Sequence, residues 1–325
     1  MQKPCHSSPS PLKNMQVATH DFSSEECNIA PFCPFVLIRI KALGAPPPVS
    51  GTPSKPQGMK ISIITTTFNS AKTLPHTIQS VLAQTYHDIE YIIVDGASTD
   101  GTVDIIQAYE PQFHGRLKYI SERDKGIYDA MNKGLRMATG DVAGFLNSDD
   151  FLSGTNAVER LMNALQNAPE KPDAVYADVH YVDDNDLSRS VRYYSSAVFR
   201  PWLMRLGFMP AHPTFYCRME VYRKYGFFDT QYKIAADFEL LLRLLYVHRI
   251  RTRYVHTDCV TMRTGGASNA SFHSRMAIMR DHLHALRRHG VRSCYALLVL
   301  RYFYKAWELA TSRFHRATPR PDYIA

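Results

Sequence analysis

The first well-patterned part of the chain alternates short apolar runs with amphipathic segments. Ile61–Thr66 is an uncharged, largely β-branched run that predicts a buried strand. In Leu74–Gln84 the apolar residues recur at positions 74, 78, 81 and 82, which predicts a helix with one buried face. The same order of strand and helix follows over Ile89–Val94 and Thr102–Tyr109.

The alternation continues with a third strand over Leu117–Ile120, a helix after Gly126 and a fourth strand from Val142. Repeated β-α-β units favour a largely parallel sheet with helices on its faces. The expected fold class is therefore α/β, with a mostly parallel, Rossmann-like sheet flanked by helices and followed by a helical C-terminal tail.

Polar residues stand where each of these strands ends. They are Thr66–Asn69, Asp95, Glu122 with Asp124, and Asn147–Asp150. Parallel strands end at one edge of the sheet, and open α/β sheets bind their ligands at that edge. We therefore expect these residues to meet in one cleft that holds a ligand or a metal ion.

The fourth cluster places two adjacent carboxylates, Asp149 and Asp150, directly after an apolar run. Neighbouring acids repel each other, and a divalent cation between them would relieve that repulsion. The alternative is a loop that uses Asp for turn chemistry. The chain has no P-loop motif, and the glycines after Asp95 lack the GxGxxG spacing, so a diphosphate in this acidic cleft would need a bridging metal.

Two further candidates lie in the second half of the chain. Asp237 stands at the start of an apolar helix, where it is either a functional carboxylate or an N-cap. Arg263 lies in Val260–Asn269, which its paired glycines predict to be flexible. That segment is either a loop that closes over a substrate and brings Arg263 to phosphate, or an ordinary glycine turn.

The net charge of +8 does not indicate nucleic-acid binding, because most of it belongs to one end of the chain. Residues 272–325 hold ten Lys and Arg against three acids. They predict two helices separated at Gly290, and the second has basic residues beside Trp and Tyr. This tail is expected either to lie on an anionic membrane surface or to pack on the domain with a solvated basic face.

Residues 1–58 contain ten of the nineteen prolines and are predicted to be disordered, or a non-native extension ahead of a start at Met59. A globular domain over 59–271 and the tail over 272–325 complete the expected organisation. The six cysteines form no CxxC pair, and no apolar run reaches about 18 residues. We expect a cytoplasmic protein that reaches the inner face of the membrane only through its tail.

The motifs at the strand ends resemble those of the family 2 glycosyltransferases, inverting enzymes with a GT-A fold. The resemblance runs from about residue 60 to residue 268 and depends on a set of motifs in a fixed order. They are Ile63–Asn69 with Ser80–Tyr86, Ile93–Thr102, Glu122–Gly134, Ala138–Asp141 and Asn147–Asp150. The combination is similar to bacterial enzymes that build exopolysaccharide or lipopolysaccharide, colanic-acid-type transferases among them.

The resemblance implies a role for each matching residue. The positions that match donor binding are Thr66, Phe68, Asn69, Asp95, Asp124, Asn132, Asp149 and Arg263. Asp149 and Asp150 match the site for Mn²⁺ or Mg²⁺, and Asp237 matches the general base. The family often has Asp at the position of Asn147 and Glu at the position of Ala236, so this chain departs from it at both.

The resemblance implies a metal-dependent, inverting glycosyltransferase of the hexosyltransferase class. Its donor would be a nucleotide-diphosphate sugar, and its acceptor a lipid-linked or oligosaccharide molecule in bacterial surface polysaccharide biosynthesis. Acceptor specificity is expected in the irregular stretch 178–235. One alternative is a sugar-phosphate nucleotidyltransferase, although Thr65–Asn69 lacks the Gly-rich, Lys-bearing loop it would need. The other is a non-catalytic carbohydrate-binding relative, although the acids are retained.

Overall fold

The structure, a computed structural model, describes residues 58–264 and 272–312, and for 272–275 and 304–312 it describes the backbone alone. The chain divides into two units, Met1–Pro53 and Ser54–Ala325, and every described residue belongs to the second. The predicted N-terminal extension before Gly58, the loop residues Gly265–Asn269 and the end of the tail lie outside the described residues. The predicted domain boundaries stay predictions.

Within the described ranges, nine strands form one mixed sheet. They are β1 (Ile61–Thr67), β2 (Ile89–Asp95), β3 (Leu117–Ser121), β4 (Val142–Phe145), β5 (Phe151–Leu152), β6 (Ala174–Val182), β7 (Ser190–Tyr194), β8 (Tyr216–Arg218) and β9 (Thr252–Arg263). The α-helices are α1 (Leu74–Leu82), α2 (Thr102–Tyr109), α3 (Ile127–Met137), α4 (Ala157–Gln166), α5 (Met219–Tyr225), α6 (Ala236–Leu241), α7 (Phe272–Arg288) and α8 (Tyr295–Ser312). A π-helical turn, Leu242–Val247, continues α6.

The first half of the sheet is parallel, as the sequence predicts. Its strand order is β3-β2-β1-β4, and each neighbouring pair runs in the same direction. All residues of β1, β2 and β4 are buried, which fits sequences that are rich in β-branched and apolar residues and nearly free of charge. The carboxyl ends of these strands therefore share one edge.

The second half joins the same sheet through mainly antiparallel pairs, in the order β4-β8-β6-β9-β5 with β7 on β6. The prediction of a flexible segment is wrong for Val260–Arg263, because these residues end strand β9. They pair with β6 on one side, and two of them also pair with β5 on the other. The sequence did not predict β9, because the strand contains polar residues. Two of them, Asp258 and Thr261, are accommodated by hydrogen bonds with Ser153.

Two hydrophobic cores lie on the two faces of the sheet. Ile63 of β1 belongs to the core shared with α1, α2 and α4, and its neighbour Ile64 belongs to the core shared with α3. Gly134 brings α3 against the sheet, because a Cβ there would lie 2.4 Å from Ile64 Cγ2. The strand alternation thus fixes α3, and with it Tyr128, relative to the edge of β1.

The C-terminal helices are part of the second core. Leu283 and Leu286 of α7 and Leu298 of α8 are buried with Phe238 of α6. The predicted break between the helices is present, with Gly290 at a positive φ of 70°. One face of α7 and of α8 therefore packs on the domain, and the predicted contact of the tail with a membrane stays a prediction. None of the described helices combines the length and apolar character that a membrane span requires.

Candidate active site

A cleft of about 1280 Å³ opens where the parallel strands end. The first wall of its lining contains Thr66 at the end of β1, Phe68 and Gly96 after β1 and β2, Asp124 after β3 and Asp149 after β4. The rest of the lining, the second wall, comes from the β6–β7 pair, residues 207–213, the start of α6, and helices α7 and α8. The predicted cleft at the strand ends is present, but Asn69, Asp95, Glu122 and Asp150 are not among the residues that line it.

An aromatic ring and a carboxylate lie side by side on the first wall. The Phe68 side chain is 63% exposed within the cleft. A Cβ on Gly96 would lie 3.3 Å from both Phe68 Cδ2 and Asp124 Oδ2, so the glycine makes room for both groups. Lys133 Nζ donates to Asp124 Oδ1 at 2.5 Å and fixes that carboxylate. The ring surface is left available for stacking with a planar ligand.

The turn after β4 points its two carboxylates in different directions. Asp149 lines the cleft, whereas Asp150 is 1% exposed and its Oδ2 accepts from Asn147 Nδ2 at 2.8 Å. Thr77 Oγ1 donates to the Asp150 carbonyl at 2.7 Å and ties the turn to α1. Burial raises the pKa of Asp149, and burial together with the charge of Asp149 raises the pKa of Asp150 well above its ordinary value.

Arg263 holds this turn in place from the end of β9. Its Nε donates to the Asp149 carbonyl at 2.9 Å, and its Nη2 lies 2.6 Å from His76 Nδ1. Its Nη1 reaches Asp184 Oδ1 at 3.5 Å. The side chain lines the cleft but is only 7% exposed. Arg263 is therefore a fixed part of the wall, and its predicted contact with phosphate stays a prediction.

Asp237 lies on the second wall in the first turn of α6. The N-cap position belongs to Ala235, so the alternative of Asp237 as the N-cap is wrong. Its Oδ1 accepts from the Phe238 backbone N–H at 2.8 Å and lies 3.3 Å from the Tyr128 hydroxyl. Tyr128 also donates to the carbonyl of Ile234. These contacts fix one carboxylate oxygen, and the half-buried side chain faces the cleft.

A buried ion pair fixes the helix that carries Asp237. Glu239 is 3% exposed, and each of its oxygens accepts from Arg243 at 3.1 Å. His289 Nε2 lies 2.7 Å from Glu239 Oε1. Burial would raise the pKa of Glu239, but the hydrogen bonds from His289 and Arg243 outweigh it and lower that pKa. Helix α6 is thus held by Arg243 of the π-helical turn and by His289, which directly follows α7.

The comparison with protein families identifies this arrangement. Residues 62–227, half of the chain, match the family model described as glycosyl transferase family 2. The chain belongs to glycosyl transferase family 2. A PGL/p-HBAD biosynthesis glycosyltransferase of Mycobacterium tuberculosis (strain ATCC 25177 / H37Ra) is 34% identical over 211 residues, which cover 64% of this chain and 78% of that protein. An uncharacterized glycosyltransferase of Nostoc sp. is 37% identical over 128 residues, or 39% of each chain.

Solved structures agree with this family 2 assignment. The crystal structure of S. aureus TarS 1-349 in complex with UDP has a TM-score of 0.54 at 17% identity, covering 79% of this chain and 74% of that one. The complex of the same protein with UDP-GlcNAc has a TM-score of 0.51 at 18% identity and the same coverage. The predicted GT-A fold is confirmed, and the protein is a glycosyltransferase, as predicted.

The cleft of this family 2 glycosyltransferase contains most of the candidate residues. Those on its walls are Thr66, Phe68, Asp124, Asp149, Asp237 and Arg263. Asp95 is instead fully buried and accepts from Ser98 N at 2.9 Å and Ser121 Oγ at 2.6 Å. Asn69 Oδ1 accepts from Thr99 N at 3.0 Å. Asp95 and Asn69 therefore hold the 96–100 loop that forms part of the wall, and their predicted donor contacts stay predictions.

The Asn132 side chain forms two hydrogen bonds with the backbone of Phe228. Its Nδ2 donates to the Phe228 carbonyl at 2.9 Å, and its Oδ1 accepts from the Phe228 N–H at 3.0 Å. We expect Asn132→Ala to lower the free energy of unfolding by about 2–4 kcal/mol, because two buried backbone groups lose their partner. Its KM for the donor should change little. Denaturant unfolding and donor kinetics check this result.

Asn163→Ala is the matched control for Asn132, because Asn163 is an exposed asparagine of α4. It should leave the free energy of unfolding within about 0.5 kcal/mol of the parent value. A stable Asn132→Ala protein with a strongly raised donor KM would instead place this amide on the nucleotide sugar.

Several residues of the cleft had no predicted role, among them Tyr128, His212 and Arg301. His212 is 9% exposed and stacks on Phe145 with ring centroids 5.6 Å apart. Burial lowers its pKa, although the charge of Asp237 opposes that shift. Tyr128 belongs to a motif that the resemblance includes. His212 and Arg301 could not be found, because the contacts that bring them to the cleft join distant parts of the chain.

Proposed function

We propose that this glycosyltransferase moves a sugar from a nucleotide-diphosphate donor to an acceptor hydroxyl by a single in-line displacement, with inversion. The observation that carries the proposal is that two carboxylates, Asp149 of the first wall and Asp237 of the second, line the same cleft. One carboxylate is then available to a cation at the leaving group and the other to the attacking hydroxyl.

The donor's base and ribose lie against the first wall in this proposal. The exposed Phe68 ring offers a face for the base, and Thr66 and Asp124 offer polar atoms next to it. The TarS structures support a nucleotide at this fold, since their complexes contain UDP and UDP-GlcNAc. The identity of the base follows from the donor screen below.

The residues around Asp149 fit a divalent cation, Mn²⁺ or Mg²⁺. Among the described residues, no side chain donates a hydrogen bond to the Asp149 carboxylate. Burial raises the pKa of this carboxyl group and so disfavours its charged form unless a cation is near. Within residues 58–264 and 272–312 no three His, Cys, Asp or Glu side chains form a metal cage. Asp149 would hold the ion together with donor oxygens and water, and the ion would offset charge on the leaving diphosphate.

Asp237 acts as the general base in this proposal. A sugar hydroxyl has a pKa far above neutral, so its attack requires a carboxylate within hydrogen-bond distance. Tyr128 and the Phe238 N–H hold Asp237 Oδ1, which leaves Oδ2 for the acceptor proton. Because one displacement transfers the sugar, no covalent nucleophile is needed.

A screen of nucleotide sugars tests the proposal. The purified chain is incubated with UDP- and GDP-sugars in Mn²⁺, Mg²⁺ or EDTA, and release of the nucleoside diphosphate is measured. We expect slow, metal-dependent hydrolysis of one donor and loss of that activity in EDTA. Hydrolysis that is equally fast in EDTA, or absent with every donor, would contradict the proposal.

The pathway we propose is assembly of a bacterial surface glycan on an acceptor at the inner face of the membrane. The M. tuberculosis relative is named for biosynthesis of PGL/p-HBAD, which supports a surface-glycan role without fixing the acceptor. Helix α8 presents exposed apolar side chains at Val299, Leu300 and Phe303, and Trp202 is exposed as well. Since residues 272–325 are strongly basic, an anionic lipid surface is the proposed partner of this helix.

Replacing Leu300 and Phe303 together by Ser should weaken the binding of the chain to vesicles that contain anionic phospholipid by about 10-fold or more. These side chains are 47% and 70% exposed, so the fold should persist. Flotation with anionic vesicles, and with neutral vesicles as the control, measures the effect. Equal flotation of the double variant and the parent would remove the membrane from the proposal.

A further inference from the structure

The cleft contains a cation that the proposed reaction does not use. Arg301 of α8 lines the cleft, and its Nη1 donates to His282 Nδ1 at 2.8 Å and to the Gly207 carbonyl at 3.4 Å. Its Nη2 donates to the Tyr302 hydroxyl at 3.1 Å. These are neutral groups, and no carboxylate among the described residues pairs with Arg301.

The neutrality of His282 leaves the charge of Arg301 uncompensated. His282 is 5% exposed, and burial together with the charge of Arg301 lowers its pKa well below the ordinary value. Its Nδ1 accepts from Arg301, which only the uncharged imidazole can do. A half-buried guanidinium without a counter-charge is unfavourable by itself, and it matches a carboxylate or phosphate in geometry.

Arg301 lies on the side of the cleft that carries the proposed base. The His282 ring stacks on Phe238, with centroids 3.8 Å apart and planes inclined by 11°. Phe238 directly follows Asp237, so the pair of Arg301 and His282 is anchored next to the base. The acid turn with Asp149 belongs to the first wall, and no described hydrogen bond joins it to Arg301. An anion at Arg301 would therefore belong to the acceptor.

The surroundings of Arg301 are mostly apolar. Side chains of this part of the cleft include Tyr181, Tyr194, Met209, Met262, Ile278 and Tyr302. The Arg192 guanidinium lies over the rings of Tyr181 and Tyr194, at 5.1 and 5.4 Å from their centroids. A neutral oligosaccharide would leave this apolar surface and the charge of Arg301 without complementary groups.

We propose that Arg301 binds an anionic group of the acceptor, and that the aromatic lining holds an apolar part of the acceptor next to that anion. The inference depends on the proposed function, and it specifies the chemical class of the acceptor. The acceptor class is an amphiphilic anion. A lipid phosphate and an aromatic carboxylic acid share this chemistry.

Binding of small probes distinguishes a lipid phosphate from an aromatic carboxylic acid. Isothermal titration of the full chain uses geranyl phosphate and 4-hydroxybenzoate, each with its neutral counterpart, geraniol or 4-hydroxybenzamide. Inorganic phosphate tests the anion without the apolar part. We expect one anionic probe to bind at least 10-fold more tightly than its neutral counterpart and than inorganic phosphate. Equal binding of charged and neutral probes, or no binding of either anion, would overturn the proposal.

Variants at Arg301 assign the preference to this residue. Arg301→Gln should weaken binding of the preferred anion by about 10-fold or more and leave binding of the neutral probe unchanged. Arg301→Lys should keep most of the affinity for the anion. Arg136→Gln is the matched control, because Arg136 is an exposed arginine of α3 outside the cleft. Thermal unfolding identifies a variant that fails to fold. If Arg301→Gln does not fold, the proposal is tested by the anion affinity of Arg301→Lys and by the preference of the parent protein for the anionic over the neutral probe.

Donor turnover separates the inference from the proposed function. The same preparations are assayed for metal-dependent hydrolysis of the nucleotide sugar. If the parent protein turns over its donor but shows no preference for anions, the inference alone fails. If the parent protein turns over no donor, the proposed function fails. A raised donor KM in Arg301→Gln, with unchanged probe binding, would assign Arg301 to the donor and overturn the inference.

Discussion

Replacing Asp237 by Asn should lower kcat by about 10²–10⁴-fold, because the acceptor hydroxyl loses the carboxylate that takes its proton. The amide has the same shape as the carboxylate. Its oxygen can still accept from the Phe238 N–H and from Tyr128, so the start of α6 should be unchanged. Binding of nucleotide and metal should stay within a few-fold of the parent, since both are proposed to bind to residues of the first wall.

The measurement is transfer to an acceptor under saturating donor, together with titration of UDP in the presence of Mn²⁺. Asp104→Asn is the matched control, because Asp104 is also an acid in the first turn of a helix but is exposed on α2. It should keep full activity. An Asp237→Asn enzyme with more than a tenth of the parent kcat would show that another group takes the proton.

The parallel half of the sheet could be predicted closely from the sequence. The strands Ile61–Thr67 and Ile89–Asp95 are buried on both faces, so they are rich in β-branched and apolar residues, and polar residues cluster where they end. Since parallel strands end at one edge, the same pattern also predicted that Asp124 and Asp149 share a cleft. In this half, the local pattern and the chemistry of the site coincide.

The second half could not be predicted in this way, because its geometry depends on contacts between distant residues. Strand β9 contains half-buried Asp258 and buried Thr261, which hydrogen bonds with Ser153 and His180 help to accommodate. Arg263 therefore looked like a residue of a flexible loop. Arg301 looked like one of many basic residues in a tail, and only the packing of α8 on residues 201–207 brings it to the cleft.

The sequence also left open which carboxylate of the pair binds the metal, because Asp149 and Asp150 are adjacent and chemically alike. The structure separates them by burial. Asp150 is 1% exposed and accepts from Asn147, while Asp149 belongs to the wall of the cleft. Asp150 is thus suited to fix the turn, and Asp149 is suited to contact the ion. This difference leads to a prediction that compares two otherwise equivalent substitutions.

Asp149→Asn should lower metal-dependent donor turnover by about 10³-fold, because it removes the carboxylate proposed to face the cation and the diphosphate. Asp150→Asn should lower turnover by only about 10–100-fold, as expected for a residue that orients the ligand rather than contacting the metal. Mn²⁺ binding in the presence of UDP, followed by electron paramagnetic resonance, gives a readout that is independent of turnover. Asp149→Asn should lose that binding, and Asp150→Asn should weaken it.

The two substitutions remove the same charge one residue apart, so a general effect of charge on the cleft would change both variants equally. A larger loss of Mn²⁺ binding in Asp150→Asn than in Asp149→Asn would mean that the turn rearranges when the donor binds. In that case the hydrogen bond from Asn147 to Asp150 would have to break, and Asn147→Ala should then strengthen metal binding rather than weaken it. If Asp149 is the ligand, Asn147→Ala should instead weaken Mn²⁺ binding, because Asp150 loses the partner that fixes the turn.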